Sequence, residues 1–184
     1  MSTNPFSLSW EVSPAALLVV ALWYFFDETG MIALILPAVL VHEAGHALLL
    51  RLGGLRLRRV SLGLFGLEMD YWGQLEGGLG FAAVAAGPLF GLIYGILCQQ
   101  VCSEYWNLSG SLSILLSLFN LLPVLPLDGG RLLSMAAGDR GVSISRGISL
   151  ALAAAALFLW LLRGWFSLFA TAAWLVWCNT KGSE

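Results

Sequence analysis

Long apolar stretches separated by short polar breaks run along most of the chain. Residues 1 to 11 are a polar lead. Val12 to Phe26 is apolar, ends on Trp23, Tyr24 and Phe25-Phe26, and is followed by the turn-like Asp27-Glu28-Thr29-Gly30. A short first span over Ser9 to Phe26 is expected. Met31 to Arg51 makes a second, about 21 residues or roughly 31 Å of helix. The period then changes. Leu55, Leu57 and Val60 alternate with Arg56 and Arg58, Leu62 and Leu64 with Ser61 and Gly63, and Leu67, Met69 and Tyr71 with Glu68 and Asp70. Period two predicts β-strands with a turn near Phe65-Gly66.

Gly77 to Val101 reads as a third span. Its Ala83, Gly87, Gly91 and Gly95 recur every four residues, a small-residue face expected to pack against the second span. Ser103 to Gly110 reads as a polar loop, and Ser111 to Leu122 begins a fourth span. Pro123 and Pro126 cannot donate backbone hydrogen bonds, so the helix should break before Asp128. Gly138 to Gly147 reads as a second polar loop. Ile148 to Trp177 would be roughly 45 Å of helix, too long for one ordinary span. Arg163-Gly164 interrupts it, which predicts two short helices with Trp160, Trp165, Trp174 and Trp177 at interfaces and tight packing along Ala151 to Ala156.

Composition fixes the class. Of 184 residues, 59% are hydrophobic and 11% charged, which excludes an ordinary soluble domain. The expected fold is an all-α polytopic membrane protein of about six transmembrane helices, with a small membrane-associated β-hairpin after the second. The N-terminus lacks a basic region and a small-residue cleavage site, so it does not read as a cleaved signal peptide. The net charge of −2 says little about partners, and nothing points to nucleic acid. Cys98, Cys102 and Cys178 lie in or beside apolar runs and read as packing residues. Arg51, Arg56, Arg58, Arg59, Arg131, Arg140, Arg146 and Lys181 fall on one side of the expected spans and Arg163 on the other, which predicts cytoplasmic termini.

The chemistry is concentrated in two places. Val41-His42-Glu43-Ala44-Gly45-His46 contains H-E-x-x-H, and the chain's two histidines are both in it. Residues four apart share a helix face, so His42 and His46 can address one zinc ion. Glu43 projects about 100° from His42, close enough to act on a water at the metal without being a ligand. Ionisable groups inside an apolar run are expensive, and a shared metal gives them a common partner. The second place is Asn120-Leu-Leu-Pro-Val-Leu-Pro-Leu-Asp128-Gly-Gly. A catalytic zinc usually takes three protein ligands and keeps one position open, and Asp128 supplies the third. Asn120 has two readings, donation to the substrate carbonyl or the tetrahedral oxyanion, or bonding to carbonyls freed by the prolines. Pro37, just ahead of the motif, either kinks the helix to admit water or is simply tolerated. Arg131 reads as a positive-inside anchor, with Asp139 or a lipid phosphate as other partners.

H-E-x-x-H in a membrane helix, followed by N-x-x-P-x-x-P-L-D-G-G, resembles the site-2 protease family of intramembrane zinc metalloproteases (peptidase M50). Ala86-Gly87-Pro88 resembles that family's third core helix. The likeness covers about residues 30 to 138, which it implies are the catalytic core of a single membrane-embedded domain, with accessory helices over 9–26 and 148–178. It implies zinc on His42, His46 and Asp128, with Glu43 as the catalytic base. It also supports the small sheet, whose free edge could pair with an extended substrate. The implied activity is that of a zinc metalloendopeptidase cutting a membrane-bound protein, with the metal in the cytoplasmic half of a bacterial cell membrane. No PDZ or CBS domain is expected in so short a chain. With Val60-Ser-Leu-Gly-Leu-Phe-Gly after the zinc helix, it looks most like the stage IV sporulation protein FB-type branch, which implies a sigma-factor precursor as substrate. A non-catalytic zinc-binding membrane scaffold is the alternative, and it would need the ligands but not Glu43. A metal transporter would need further ligands along a path.

Overall fold

The structure is a computed structural model and describes residues 9–63, 66–73 and 77–181. The chain divides into two compact units, Met1–Ser117 and Leu118–Glu184.

The first unit begins with a strand, β1 (Ser9–Val12), followed by α1 (Pro14–Phe26). The expected span over Ser9 to Phe26 is therefore cut in two. Ser13 sets the boundary: its hydroxyl accepts from the Ala16 N–H at 3.0 Å, and Pro14 starts the helix where a missing N–H costs nothing. Upstream of that cap, Ser9, Trp10, Glu11 and Val12 alternate polar and apolar, the period of a strand. The 13 residues of α1 make about 20 Å of helix, short of the roughly 30 Å hydrocarbon core.

The next helix, α2 (Met31–Leu52), is capped from across the turn. The Asp27 carboxylate accepts from the N–H groups of Met31 and Ile32, both at 2.8 Å. The bond from Ile32 is the main reason the Asp27 carboxyl is held below its ordinary range. Inside α2, Pro37 removes one N–H and frees the carbonyl of Ala33 four residues earlier. The Tyr105 hydroxyl donates to that carbonyl at 2.8 Å.

Two antiparallel strands follow, β2 (Arg56–Gly63) and β3 (Gly66–Trp72). The expected hairpin is one strand short of what forms. β1 adds in parallel to the other side of β2, giving the order β1-β2-β3. Part of the predicted turn, residues 64 and 65, lies outside the described residues. A bulge between Leu57 and Arg59 resets the alternation, so Leu57 and Tyr71, then Val60 and Met69, share one face. Arg56 with Trp72, and Arg59 with Asp70, share the other. Arg59 ties all three strands, at 2.6 Å to Asp70 and 3.4 Å to Glu11.

The last helices of this unit are α3 (Gly77–Cys98) and most of α4 (Glu104–Asn120), whose final three residues belong to the second unit. The polar loop expected over Ser103 to Gly110 is instead the start of α4. The Ser103 carbonyl accepts the first helical bond, from the Asn107 N–H at 3.0 Å, and Glu104 complements the helix dipole. Ser109, which fell in that expected loop, instead begins a stripe of fully buried serines at every fourth position, continued by Ser113 and Ser117. Ser109 and Tyr94 share a hydrogen bond at 2.9 Å, and Ser113 donates to the Gly91 carbonyl at 2.8 Å. The glycine face of α3 is consequently divided. Gly87 lies against α2, but a Cβ on Gly95 would sit 2.5 Å from Ile114 and 2.8 Å from the Gly110 carbonyl, both on α4.

In the second unit, the chain leaves α4 after Asn120, runs without helix through 121–127, and enters α5 (Asp128–Arg163). This is the break that Pro123 and Pro126 predict. Ser145 donates to the Pro123 carbonyl at 3.0 Å, and Ser149 to the Ser145 carbonyl at 2.8 Å. Of the loop expected over Gly138 to Gly147, only its first residue breaks the helix: α5 is two helices joined across a kink at Gly138 (φ 55°, ψ −136°), a conformation open to glycine, and residues 139–147 are helical. Gly164 (φ 69°) ends α5 where the interruption was expected, and α6 (Phe166–Lys181) packs back so that its Ala172 and Leu175 form one core with Ala153 of α5 and Val124 of the non-helical segment.

Among the described residues, three helices are long and apolar enough to cross a membrane: α2, α3 and α5. By length alone the expectation of about six spans is met by three, since α1 and the apolar part of α6 are shorter.

Candidate active site

The H-E-x-x-H motif lies two turns from the C-terminal end of α2, and helical spacing places His42 and His46 on one face. His42 is buried. Its Nε2 lies 3.3 Å from Nε2 of His46. The other ring nitrogen of His46, Nδ1, is 2.9 Å from the Ala83 carbonyl on α3. A carbonyl only accepts, so Nδ1 carries the proton and Nε2 keeps its lone pair, directed at His42.

Two glycines make this arrangement possible. A Cβ on Gly45, inside the motif, would meet the Ala86 carbonyl at 2.7 Å. A Cβ on Gly87 would fall into the imidazole ring of His46. The close approach of α2 to α3 thus creates the space for His46 and supplies the carbonyl that fixes its tautomer.

Zinc fits these donors. Two ligands at about 2.0–2.1 Å in tetrahedral geometry are separated by about 3.3 Å, which is the separation the two Nε2 atoms show. His42 and His46 supply two such donors within the first unit, and the second unit carries the expected carboxylate, Asp128. Two imidazoles and one carboxylate are a donor set found in catalytic zinc sites that leave a position for water.

Asp128, in the second unit, is the first residue of α5 and is buried. A helix N-terminus favours the ionised carboxylate, the form that binds a metal. Gly129 and Gly130 hold this end of α5 against the irregular chain. A Cβ on Gly130 would lie 2.5 Å from the backbone of Val124, and one on Gly129 would strike the Leu121 carbonyl. Arg131 is 3.7 Å from Asp128, one helical turn on, so it is a neighbour of the carboxylate itself. Asn120 is the last residue of α4, half-buried, eight positions before Asp128. The carbonyl of Pro123 is served by Ser145.

Glu43, half-buried beside His42, has a neighbour that sequence reasoning missed. The Tyr71 phenol is pushed up by burial and, to a lesser degree, by the Glu43 carboxylate, which brings β3 within electrostatic reach of the motif. Its hydroxyl donates to the Met69 sulfur at 3.6 Å. The signal was the alternation itself, which ends on Tyr71 on the apolar face of the sheet.

Residues 82–162 match the profile of peptidase family M50, a stretch that includes Asp128 and excludes H-E-x-x-H. The chain is 32% identical over 146 residues to a Mycobacterium tuberculosis protein named zinc metalloprotease Rip3, covering 71% of this chain and 37% of that one. It is 31% identical over 134 residues to stage IV sporulation protein FB of Bacillus subtilis, covering 68% of this chain and 46% of that one. The chain therefore spans less than half the length of either relative. Its fold matches the solved structure of the site-2 protease from Methanocaldococcus jannaschii with a TM-score of 0.67, over 100% of this chain and 94% of that one, at 22% identity.

Proposed function

Because the chain carries a peptidase family M50 domain of the site-2 protease type, we propose that it is an intramembrane zinc metalloendopeptidase, hydrolysing a peptide bond of a membrane-bound protein within or near the bilayer. The observation that carries this reading is the 3.3 Å pair of histidine nitrogens on a membrane-length helix, with Glu43 between them in sequence.

His42, His46 and Asp128 would hold the metal. When bound, zinc polarises a carbonyl and lowers the pKa of water towards 7. Glu43 takes the proton of the attacking water and delivers it to the departing amine. Asn120 would donate to the substrate carbonyl or the tetrahedral oxyanion, or to carbonyls freed by the prolines other than that of Pro123, which Ser145 serves. Residues 30 to 138 are the catalytic core. A helical substrate has its backbone already hydrogen-bonded, so cleavage falls near a helix end or at helix-breaking residues. The unwound segment pairs with β3, the edge strand of the sheet.

In this reading α1, α4 and α6 complete a six-helix arrangement with the three long spans. The excess of Lys and Arg on one side puts both termini in the cytoplasm of a bacterial cell, with the metal nearer that face. The likeness to stage IV sporulation protein FB supports a sigma-factor precursor as the substrate.

The test is cleavage of a membrane-helix peptide with a central Gly-Pro break, by the purified chain in detergent. Activity lost to a zinc chelator and restored by added zinc supports the proposal. Cleavage that survives complete removal of zinc contradicts it.

A further inference from the structure

The sheet carries a basic surface that the proposed chemistry does not use. Arg51 lies in the last turn of α2, and β2 begins four residues after that helix ends. The 22 residues of α2 make about 33 Å of helix, close to the roughly 30 Å hydrocarbon core, so Arg51 falls at a membrane interface. Arg56 and Arg58 follow within one strand. Arg51, Arg56 and Arg58 are all exposed.

The sheet register shows what gathers there. Arg56 pairs with Trp72 across the strands, and the bulge at Arg58 places its guanidinium 4.6 Å from the centre of the Trp72 ring. Trp72 is 43% exposed and Leu52, next to Arg51, is 73% exposed. The nearby carboxylates Glu11 and Asp70 are both engaged by Arg59. Among the described residues, no carboxylate pairs with Arg51 or Arg58. An interfacial tryptophan, an exposed leucine and a row of arginines at the end of a span combine what an anionic lipid offers: phosphate oxygens above, glycerol and acyl carbons below.

We propose that Arg51, Arg56 and Arg58, with Trp72 and Leu52, form a docking surface for the headgroups of anionic phospholipids. The planar guanidinium fork matches the phosphodiester, and the ring of Trp72 holds Arg58 extended towards it. Occupation of this surface seats the sheet against the headgroup plane, which sets the height of β3 beside the bilayer. The inference needs the chain to lie in a membrane but not to be a protease, so the two fail separately.

The test is native mass spectrometry of the full chain released from mixed micelles holding equal phosphatidylglycerol and phosphatidylcholine. Wild type should retain phosphatidylglycerol in preference. Arg58→Gln should reduce that preference by roughly fivefold, and the triple Arg51→Gln/Arg56→Gln/Arg58→Gln by roughly a hundredfold, at about 1 kcal/mol per arginine near an anionic surface. Arg163→Gln, at the far turn, should leave it unchanged. Unchanged zinc content and melting temperature show that each variant is folded, and Arg58→Gln alone serves if the triple variant is not. Equal retention of the two lipids by wild type, or of phosphatidylglycerol by wild type and a folded Arg58→Gln or triple variant, overturns the proposal. So does a triple variant that keeps its lipid but loses binding of a poly-glutamate peptide, which would assign the surface to an acidic polypeptide. Inorganic phosphate competing as well as phosphatidylglycerol would show a free-anion site and would also overturn it.

Discussion

A methyl group added to Gly87 of α3 would fall into the imidazole of His46 on α2. The His46 ring is held at Nδ1 by the Ala83 carbonyl, and its Nε2, the atom proposed to bind the metal, has room because position 87 has no side chain. Gly87→Ala should therefore lower zinc affinity by at least 10–100-fold, the usual cost of disturbing a ligand's supporting contacts. The protein should still fold. Zinc per chain, measured by elemental analysis beside a melting curve, checks this. A Gly87→Ala protein with full zinc would mean that His46 is held otherwise.

Tyr105 and Pro37 are coupled through the Ala33 carbonyl. The hydroxyl serves the acceptor that the proline leaves without its helical donor. Tyr105→Phe should destabilise the protein by about 1 kcal/mol, within the range found for side-chain hydrogen bonds in membranes. In a Pro37→Ala background the backbone regains an N–H that can reach the same carbonyl, and the cost should fall towards zero. A double-mutant cycle of unfolding in micelles reads this directly, and additive effects would show that the two residues are independent.

The Asp27 carboxylate caps α2 through two backbone N–H bonds, and its folded pKa is depressed below 3.8. Its contribution is thus fully present above the unfolded value of about 3.9 and is lost as pH falls through the folded value. Amide exchange at Met31 and Ile32 should accelerate in wild type below about pH 4, after correction for intrinsic exchange. In Asp27→Ala it should be fast at every pH. Exchange in wild type that ignores this pH range would remove Asp27 from the cap.

Ser145 and Ser149 hold carbonyls beside the chain break that precedes Asp128. Ser145→Ala leaves the Pro123 carbonyl without this donor and should cost about 1 kcal/mol. A shift in the break would also reach Asp128, so zinc should dissociate faster from this variant. Chelator-competition kinetics measure that, and an unchanged off-rate would confine Ser145 to stability.

Much of this was legible in the sequence because membrane and metal constraints leave few alternatives. His42, Glu43 and His46 are fixed by helical spacing, α2 by its apolar length, and the break before Asp128 by two prolines. The bulge at Arg58 was implicit in the slip from Leu57 to Val60. What escaped among the helices has a common cause: the polar stretches around Ser109 and Ser145 were taken as loop. Ser109 begins a series with Ser113 and Ser117, and Ser145 one with Ser149, small hydroxyls at four-residue spacing inside helices, where Ser113, Ser145 and Ser149 bond to a neighbouring segment or their own helix. The period was visible, but polarity alone suggested a turn. β1 escaped for another reason. Four residues before a capped helix carry too little pattern to stand apart until β2 is there to pair with them. The division of the α3 stripe between α2 and α4 depends on helix directions that no single-helix pattern contains.

The central claim is that Glu43 does chemistry at a metal held by its neighbours. Its most direct test is zinc content together with cleavage of the Gly-Pro membrane-helix peptide, for wild type and Glu43→Gln. The account predicts one zinc per chain in both proteins, with cleavage lost only in the variant. Equal cleavage by both would remove Glu43 from the mechanism, and freshly purified wild type without zinc would contradict the metal site itself.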